Sequence, residues 1–145
     1  VGLCIAVAIC CTLGFGAGLA LAASAPLSKQ SPIVQTVSLG NEAGELIFSP
    51  NRLTFKAGSR YQLNLQNNSP TKHYFTAKDF ADAIWSQKVD AGNVEVKGAI
   101  HELELRPGSN AAWVFIPLRA GMYSLRCTVT GHTEAGMVGT LEITG

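Results

Sequence analysis

Residues Tyr123–Ile143 read YSLRCTVTGHTEAGMVGTLEI. Within fifteen positions this stretch carries a thiol (Cys127), an imidazole (His132) and a thioether (Met137), spaced C-x4-H-x4-M and separated by residues suited to a tight, irregular loop. Thiolate and thioether sulfurs are soft donors and imidazole is borderline, so the set favours copper over magnesium, calcium or manganese. Zinc calls for more thiolates, more imidazoles or a carboxylate, and for no methionine.

A mononuclear copper centre of the His2Cys type with a weak axial Met needs a second imidazole. Only two other histidines exist. His101, in AIHELEL, lies inside an alternating segment and points to one face of an expected strand. His73, in NNSPTKHYF, follows the alternating segment Tyr61–Gln66 and the turn-like Asn67-Asn68-Ser69-Pro70. A ligand arriving from a loop beside the Cys strand is the expected geometry, which selects His73. The candidate metal ligands are therefore His73, Cys127, His132 and Met137, around one mononuclear copper ion cycling between Cu(I) and Cu(II).

These residues sit in a wider pattern: Asn67-Asn68-x4-His73, Gly121-x-Tyr123-x3-Cys127, and Gly131-His132-x4-Met137-Val138-Gly139. In this pattern the chain resembles the cupredoxins, the small blue-copper electron carriers that include plastocyanin, azurin and rusticyanin, over Ile33 to Gly145. The GMVG run followed by an alternating strand is plastocyanin-like. The four-residue gap between Cys127 and His132 is similar to that of rusticyanin and azurin. Tyr74, directly after His73, stands where many members carry an Asn that ties the two ligand loops together. The resemblance implies a Greek-key β-sandwich and a type 1 site. It also implies that the His132 ring edge lies near the surface in an apolar patch and serves as the electron port.

At 145 residues there is room for one domain with a core that needs no disulfide. A net charge of +1 with 14% charged residues, and no Lys/Arg cluster, argues against nucleic acid as a partner. Val1–Ala25 is apolar and uncharged, the first charge being Lys29. It is long enough to span a bilayer, and its LALAASAP end also offers the small residues that a signal peptidase reads. Residues 1–25 thus fit a cleaved signal peptide or a retained membrane anchor, and both place the domain in an exported compartment, periplasm or thylakoid lumen. Cys4, Cys10 and Cys11 fall in this segment and read as small hydrophobes. Beyond it Cys127 is the only thiol, which excludes a disulfide framework and a binuclear copper centre with two bridging thiolates.

Residues 26–32 read as a flexible linker to a copper-binding domain over 33–145. Ile33–Leu39 alternates weakly. Leu53 and Phe55, then Tyr61, Leu63 and Leu65, mark two hairpin-like strands joined at Ala57-Gly58-Ser59. Phe80, Ala83 and Ile84 stand at helical spacing, which predicts an inserted helix of two or three turns reaching about Lys88, with Asp79 in its first turn. Further strand pieces contain Val94 and Val96, then Ile100, Leu103 and Leu105, then Ala112–Ile116. Short strands separated by Gly/Pro/Asn turns with one inserted helix read as an all-β, Greek-key sandwich. Met122 is expected in the core, and Trp85 and Trp113 are expected to pack the sandwich or seat the helix.

Thr128 and Asn67 or Asn68 are candidates to hydrogen-bond across the ligand loops, although the Asn pair also suits a plain turn. Gly131, Gly136 and Gly139 suit backbone conformations or close approaches that a side chain would block. Glu134 reads as a solvated loop charge, with partner docking as the alternative. The expected function is outer-sphere electron transfer between redox proteins, such as a cytochrome, an oxidase or a photosynthetic complex, by a monomeric domain that is not an enzyme. Copper storage or delivery, and an accessory subunit of a membrane redox complex, are the alternatives. Storage proteins carry open arrays of Met or His, whereas this chain has two Met and three His.

Overall fold

The computed structural model describes residues 25–145. The apolar segment 1–25 and its Cys4, Cys10 and Cys11 lie, except for Ala25, outside the described residues. Among the described residues no helix is long and apolar enough to cross a membrane. The chain enters through a short 3-10 turn at Leu27–Lys29. Eleven strands follow, beginning with β1 (Ile33–Leu39), β2 (Phe48–Ser49), β3 (Arg52–Lys56), β4 (Tyr61–Gln66) and β5 (His73–Thr76). A four-residue helix α1 (Lys78–Ala81) precedes β6 (Ile84–Ala91), β7 (Val94–Val96), β8 (Glu102–Leu105), β9 (Asn110–Pro117), β10 (Gly121–Arg126) and β11 (Val138–Thr144).

The strands form two sheets, ordered β2-β1-β4-β9-β6-β7 and β3-β11-β10-β5-β8. Alternation builds each inner face. Along β4, Tyr61, Leu63 and Leu65 are buried while Gln62, Asn64 and Gln66 are half-buried, as a period of two requires. Along β9, Ala111, Trp113 and Phe115 face the same core. Phe55, Tyr61, Phe80, Trp113 and Phe115 pack as edge-on and tilted aromatic pairs, with Tyr61 stacked on Phe115, at centroid distances of 5.0–6.2 Å near the middle of the sandwich.

The structure corrects several expectations. β3 and β4 are not a hairpin: β3 runs parallel to β11 in one sheet, and β4 lies between β1 and β9 in the other. The Ala57-Gly58-Ser59 turn therefore crosses between sheets. The helix stops at Ala81, and Ile84 onward is strand. An irregularity in the pairing with β9 between Ser86 and Lys88 inserts one extra residue, so the inward Ile84 and Val89 fall five apart and the period of two is hidden. Asp79 does stand in the helix's first turn. Met122 is exposed rather than core, because it alternates outward from Leu125 on β10 and faces Glu142 of β11. Trp113 is buried, but Trp85 is 48% exposed on the outer face of β6. His101 stands just ahead of β8, not within it. Within 26–32, the turn is tied to the sandwich: Gln87 Nε2 donates to the Ser28 carbonyl at 3.4 Å and Arg60 Nη1 to the Gln30 carbonyl at 2.8 Å.

Candidate metal centre

Two loops at one end of the sandwich and the strands leading from them carry the four candidate residues. β4 ends at Gln66 and the chain turns through Asn67–Lys72 to put His73 first on β5. β10 ends at Arg126 and releases Cys127 into the loop that carries His132 and Met137, and this loop closes where β11 begins. The tightness expected of that loop is realised by consecutive backbone turns. His132 N–H donates to Val129 O, Ala135 N–H to Gly131 O, and Met137 N–H to His132 O, at 2.9–3.0 Å. Cys127 N–H then donates to Met137 O at 3.1 Å and clasps the loop's two ends together. Gly131 and Gly136 take φ of +82° and +97°, and a Cβ on Gly139 would stand 2.6 Å from the Asn51 carbonyl oxygen. All three glycines are thus used as their positions suggested.

The loops bring three donor atoms together. His73 Nδ1 and His132 Nδ1 are 3.3 Å apart, Cys127 Sγ is 3.4 Å from His132 Nδ1, and Sγ is 3.9 Å from His73 Nδ1. A triangle with these sides has its centre about 2.1 Å from each corner, which is the range of transition-metal bonds to imidazole and slightly short of those to thiolate. Two imidazole nitrogens and a sulfur turned on one another share few protons, so the cluster suits a cation held between them. Cys127, His73 and Met137 are fully buried, whereas His132 is partly exposed. Met137 lies next to this cluster in the chain fold through its backbone bonds to Cys127 and His132. His101 is not in the cluster; its Nε2 meets Asp82 Oδ1 at 2.9 Å on the surface.

Neighbouring groups orient the candidate ligands. Ser69 Oγ lies 2.9 Å from His73 Nε2, with Thr71 Oγ1 at 3.4 Å, so the outer ring nitrogen is occupied and Nδ1 is left for the centre. Burial lowers the His73 pKa from its ordinary value of 6.5, and the neighbouring His132 lowers it further, so this imidazole is kept neutral, the form that ligates. The Tyr74 backbone N–H donates to Cys127 Sγ at 3.3 Å.

Of the two asparagines, Asn67 is the structural one. Its side chain is fully buried, donates to the carbonyls of Thr71 and Leu105 at 2.8 Å, and accepts from Ser69 N–H at 2.9 Å. It therefore holds the His73 loop against β8 rather than against the Cys loop. Thr128 does not reach the His73 loop either; it ties the start of the Cys loop to the strands beside it, its Oγ1 lying 3.1 Å from Thr76 Oγ1 at the end of β5 and donating to Glu102 Oε2 of β8 at 2.8 Å.

Gly40 was not singled out from sequence. At φ +69°, it packs so that a Cβ would stand 2.7 Å from His73 Nε2 and 2.8 Å from Ser69 Cβ. Only its place at the end of an alternating strand, followed by the polar Asn41-Glu42, hinted at a tight turn, and nothing local pointed to His73. Glu134 is exposed in the loop and has no ion-pair partner among the described residues.

Residues 35–144 match the family model described as copper binding proteins, plastocyanin/azurin family. Among solved structures, auracyanin B superposes with a TM-score of 0.55 at 23% identity, covering 80% of this chain and 92% of that one. Auracyanin A, described as a "blue" copper protein from the green thermophilic photosynthetic bacterium Chloroflexus aurantiacus, gives 0.54 at 21% identity over 79% of this chain and all of the other. A copper nitrite reductase from Nitrosomonas europaea gives 0.56 at 15% identity, but 79% of this chain covers only 49% of that one. At these identities the likeness shows the fold alone. A comparison with curated protein sequences gave no match.

Proposed function

The chain belongs to the plastocyanin/azurin family of copper binding proteins, and from that premise we propose that it carries single electrons between redox proteins, using one copper ion held by His73, Cys127, His132 and Met137. The observation that carries this reading is the triangle of His73 Nδ1, Cys127 Sγ and His132 Nδ1, sized for one metal ion, with the buried Met137 held in the same loop by backbone bonds to Cys127 and His132. When bound there, copper supplies a one-electron couple whose potential responds to the axial ligand and to the hydrogen bonding and apolarity around the Cys sulfur.

The chain's own groups do the rest. Cys127 gives the thiolate, and Tyr74 N–H donates to it and withdraws electron density from the sulfur. Ser69 holds the His73 ring with Nδ1 inward. The Cys127–Met137 and Met137–His132 backbone bonds hold the loop in one shape, so little nuclear rearrangement accompanies a change of charge. His132 is the one histidine of the three-donor set that reaches solvent, which supports its role as the electron port. Four protein donors leave no position for a substrate, which supports a carrier over an enzyme. The uncharged apolar stretch before Ala25 supports export to the periplasm or a thylakoid lumen, with a cytochrome, an oxidase or a photosynthetic complex as the class of partner.

Voltammetry of the copper-loaded protein tests the carrier reading. A reversible one-electron wave that is lost in Cys127→Ser, with no catalytic current on adding nitrite or dioxygen, is the expected result. A catalytic current would make the protein an enzyme. Rapid loss of copper to a strong chelator would favour copper delivery instead.

A further inference from the structure

Strand direction determines what each end of the sandwich carries. β10 runs from Gly121 toward Cys127, and β4 runs from Tyr61 toward the His73 loop. Because β1 lies parallel to β4 in register Ile33 opposite Tyr61, the chain enters the sandwich at the pole opposite the metal centre. That pole is unusually apolar. Of the ten large hydrophobic side chains exposed among the described residues, six stand there: Leu27, Ile33, Val34, Trp85, Leu118 and Met122. Leu118 is 58% and Val34 57% exposed.

Met122 lies on the outer face of the other sheet, and hydrogen bonds tie together the segments that carry the other five. Leu118 N–H donates to Ala83 O beside Trp85, Ile33 N–H donates to Arg60 O, and Arg60 Nε donates to Gln87 Oε1, which borders the Leu27 turn through Ser28. The same pole is cationic. Among the described residues, five Lys or Arg side chains have no carboxylate partner, and four of them, Lys29, Lys56, Arg60 and Arg119, are at this end, the fifth being Arg126.

We propose that this pole rests on a bilayer surface bearing anionic headgroups, with Trp85 and Leu118 in the interfacial layer and the metal centre directed away from the membrane. Apolar and tryptophan side chains ringed by unpaired cations are the composition that binds such a surface. The chain supplies a second argument: the residues before Ala25 are apolar and uncharged. Leu27 follows Ser24 by three residues, at most about 11 Å of extended chain. If that stretch lies in a bilayer, this pole and no other is within reach of the headgroups. The centre then stands about 20 Å farther out, the length of β1. A second copy of the chain is a poorer occupant, since a two-fold contact would set the four unpaired cations against their equals. This inference concerns the orientation of the domain and does not depend on which residues bind copper.

The test is tryptophan fluorescence of the full chain reconstituted in vesicles of mixed zwitterionic and anionic phospholipid brominated on the acyl chains. Trp113 is buried in the core, so contact quenching reports on Trp85. The expected result is strong quenching that is lost in Trp85→Phe and weakened in Leu118→Glu, with Trp85 shielded from an aqueous quencher. No quenching by the brominated lipid, with Trp85 open to the aqueous quencher, would overturn the proposal. Shielding without lipid quenching, accompanied by cross-linking to twice the mass, would assign the pole to a second copy and overturn it too. The copper-dependent visible spectrum of the same samples reports on the fold and the metal site separately, so a failure there is distinguishable from a failure of the membrane contact.

Discussion

His73 is the residue on which most of the site's supports converge. Ser69 occupies its Nε2, Gly40 packs against the same edge of the ring, and burial keeps it neutral. Ser69→Ala removes the ring's orienting partner and should weaken copper affinity by roughly 10- to 100-fold, the usual cost of losing a group that orients a metal-bound histidine, as read by competition with a chelator. The pH dependence of the copper-free protein follows from the lowered His73 pKa. Below 6.5 the unfolded chain takes up a proton that the folded imidazole resists. The stability tied to this group is therefore complete above 6.5 and is lost as pH falls through the lower folded value. Urea unfolding of the apo protein should show a lower midpoint at pH 5.5 than at pH 7.5, a difference that shrinks in His73→Asn. Gly40 was not legible beforehand because its importance lies in a contact with a residue 33 positions away, and a single chain records no such distance.

At the scale of elements, the loops carry the stability of the site. Asn67→Ala would leave the carbonyls of Thr71 and Leu105 and the N–H of Ser69 without their buried partner. A loss of about 2–4 kcal/mol on urea unfolding is expected for such a network. The C-x4-H-x4-M spacing was legible because the three residues sit in one loop, so sequence distance and spatial distance agree. Strands were legible wherever the period of two was unbroken, as in β4 and β11. It failed at β6, where the extra residue near Gln87 shifts Val89 out of step with Ile84. Upstream of it, the single turn of α1 and the bend after it bury Phe80, Ala83 and Ile84 at a helical spacing that the following strand does not continue. The pairing of β3 and β4 failed for another reason: the Gly-containing turn that would close a hairpin here redirects the chain to the opposite sheet, and the choice is made by β11 and β1, far along the chain.

On the scale of the whole molecule, one aromatic core holds the sheets together and the candidate metal centre lies at one end. Phe115 is fully buried and touches Phe55, Tyr61, Phe80 and Trp113. Phe115→Ala should cost about 3–5 kcal/mol by calorimetry or urea unfolding. The residues of the candidate centre come together only in the folded chain, so the copper-loaded form should melt above the apo form and return to the apo value on chelation. The central claim is that Cys127 and two imidazoles share one copper ion. It is tested most directly by the visible absorption and electron paramagnetic resonance spectra of the protein loaded with one equivalent of cupric ion. An intense thiolate-to-copper charge-transfer band and a single mononuclear signal, bleached by ascorbate and restored on oxidation, are predicted. A pale protein with an ordinary tetragonal copper signal would contradict the account, because Cys127 would then not be a ligand.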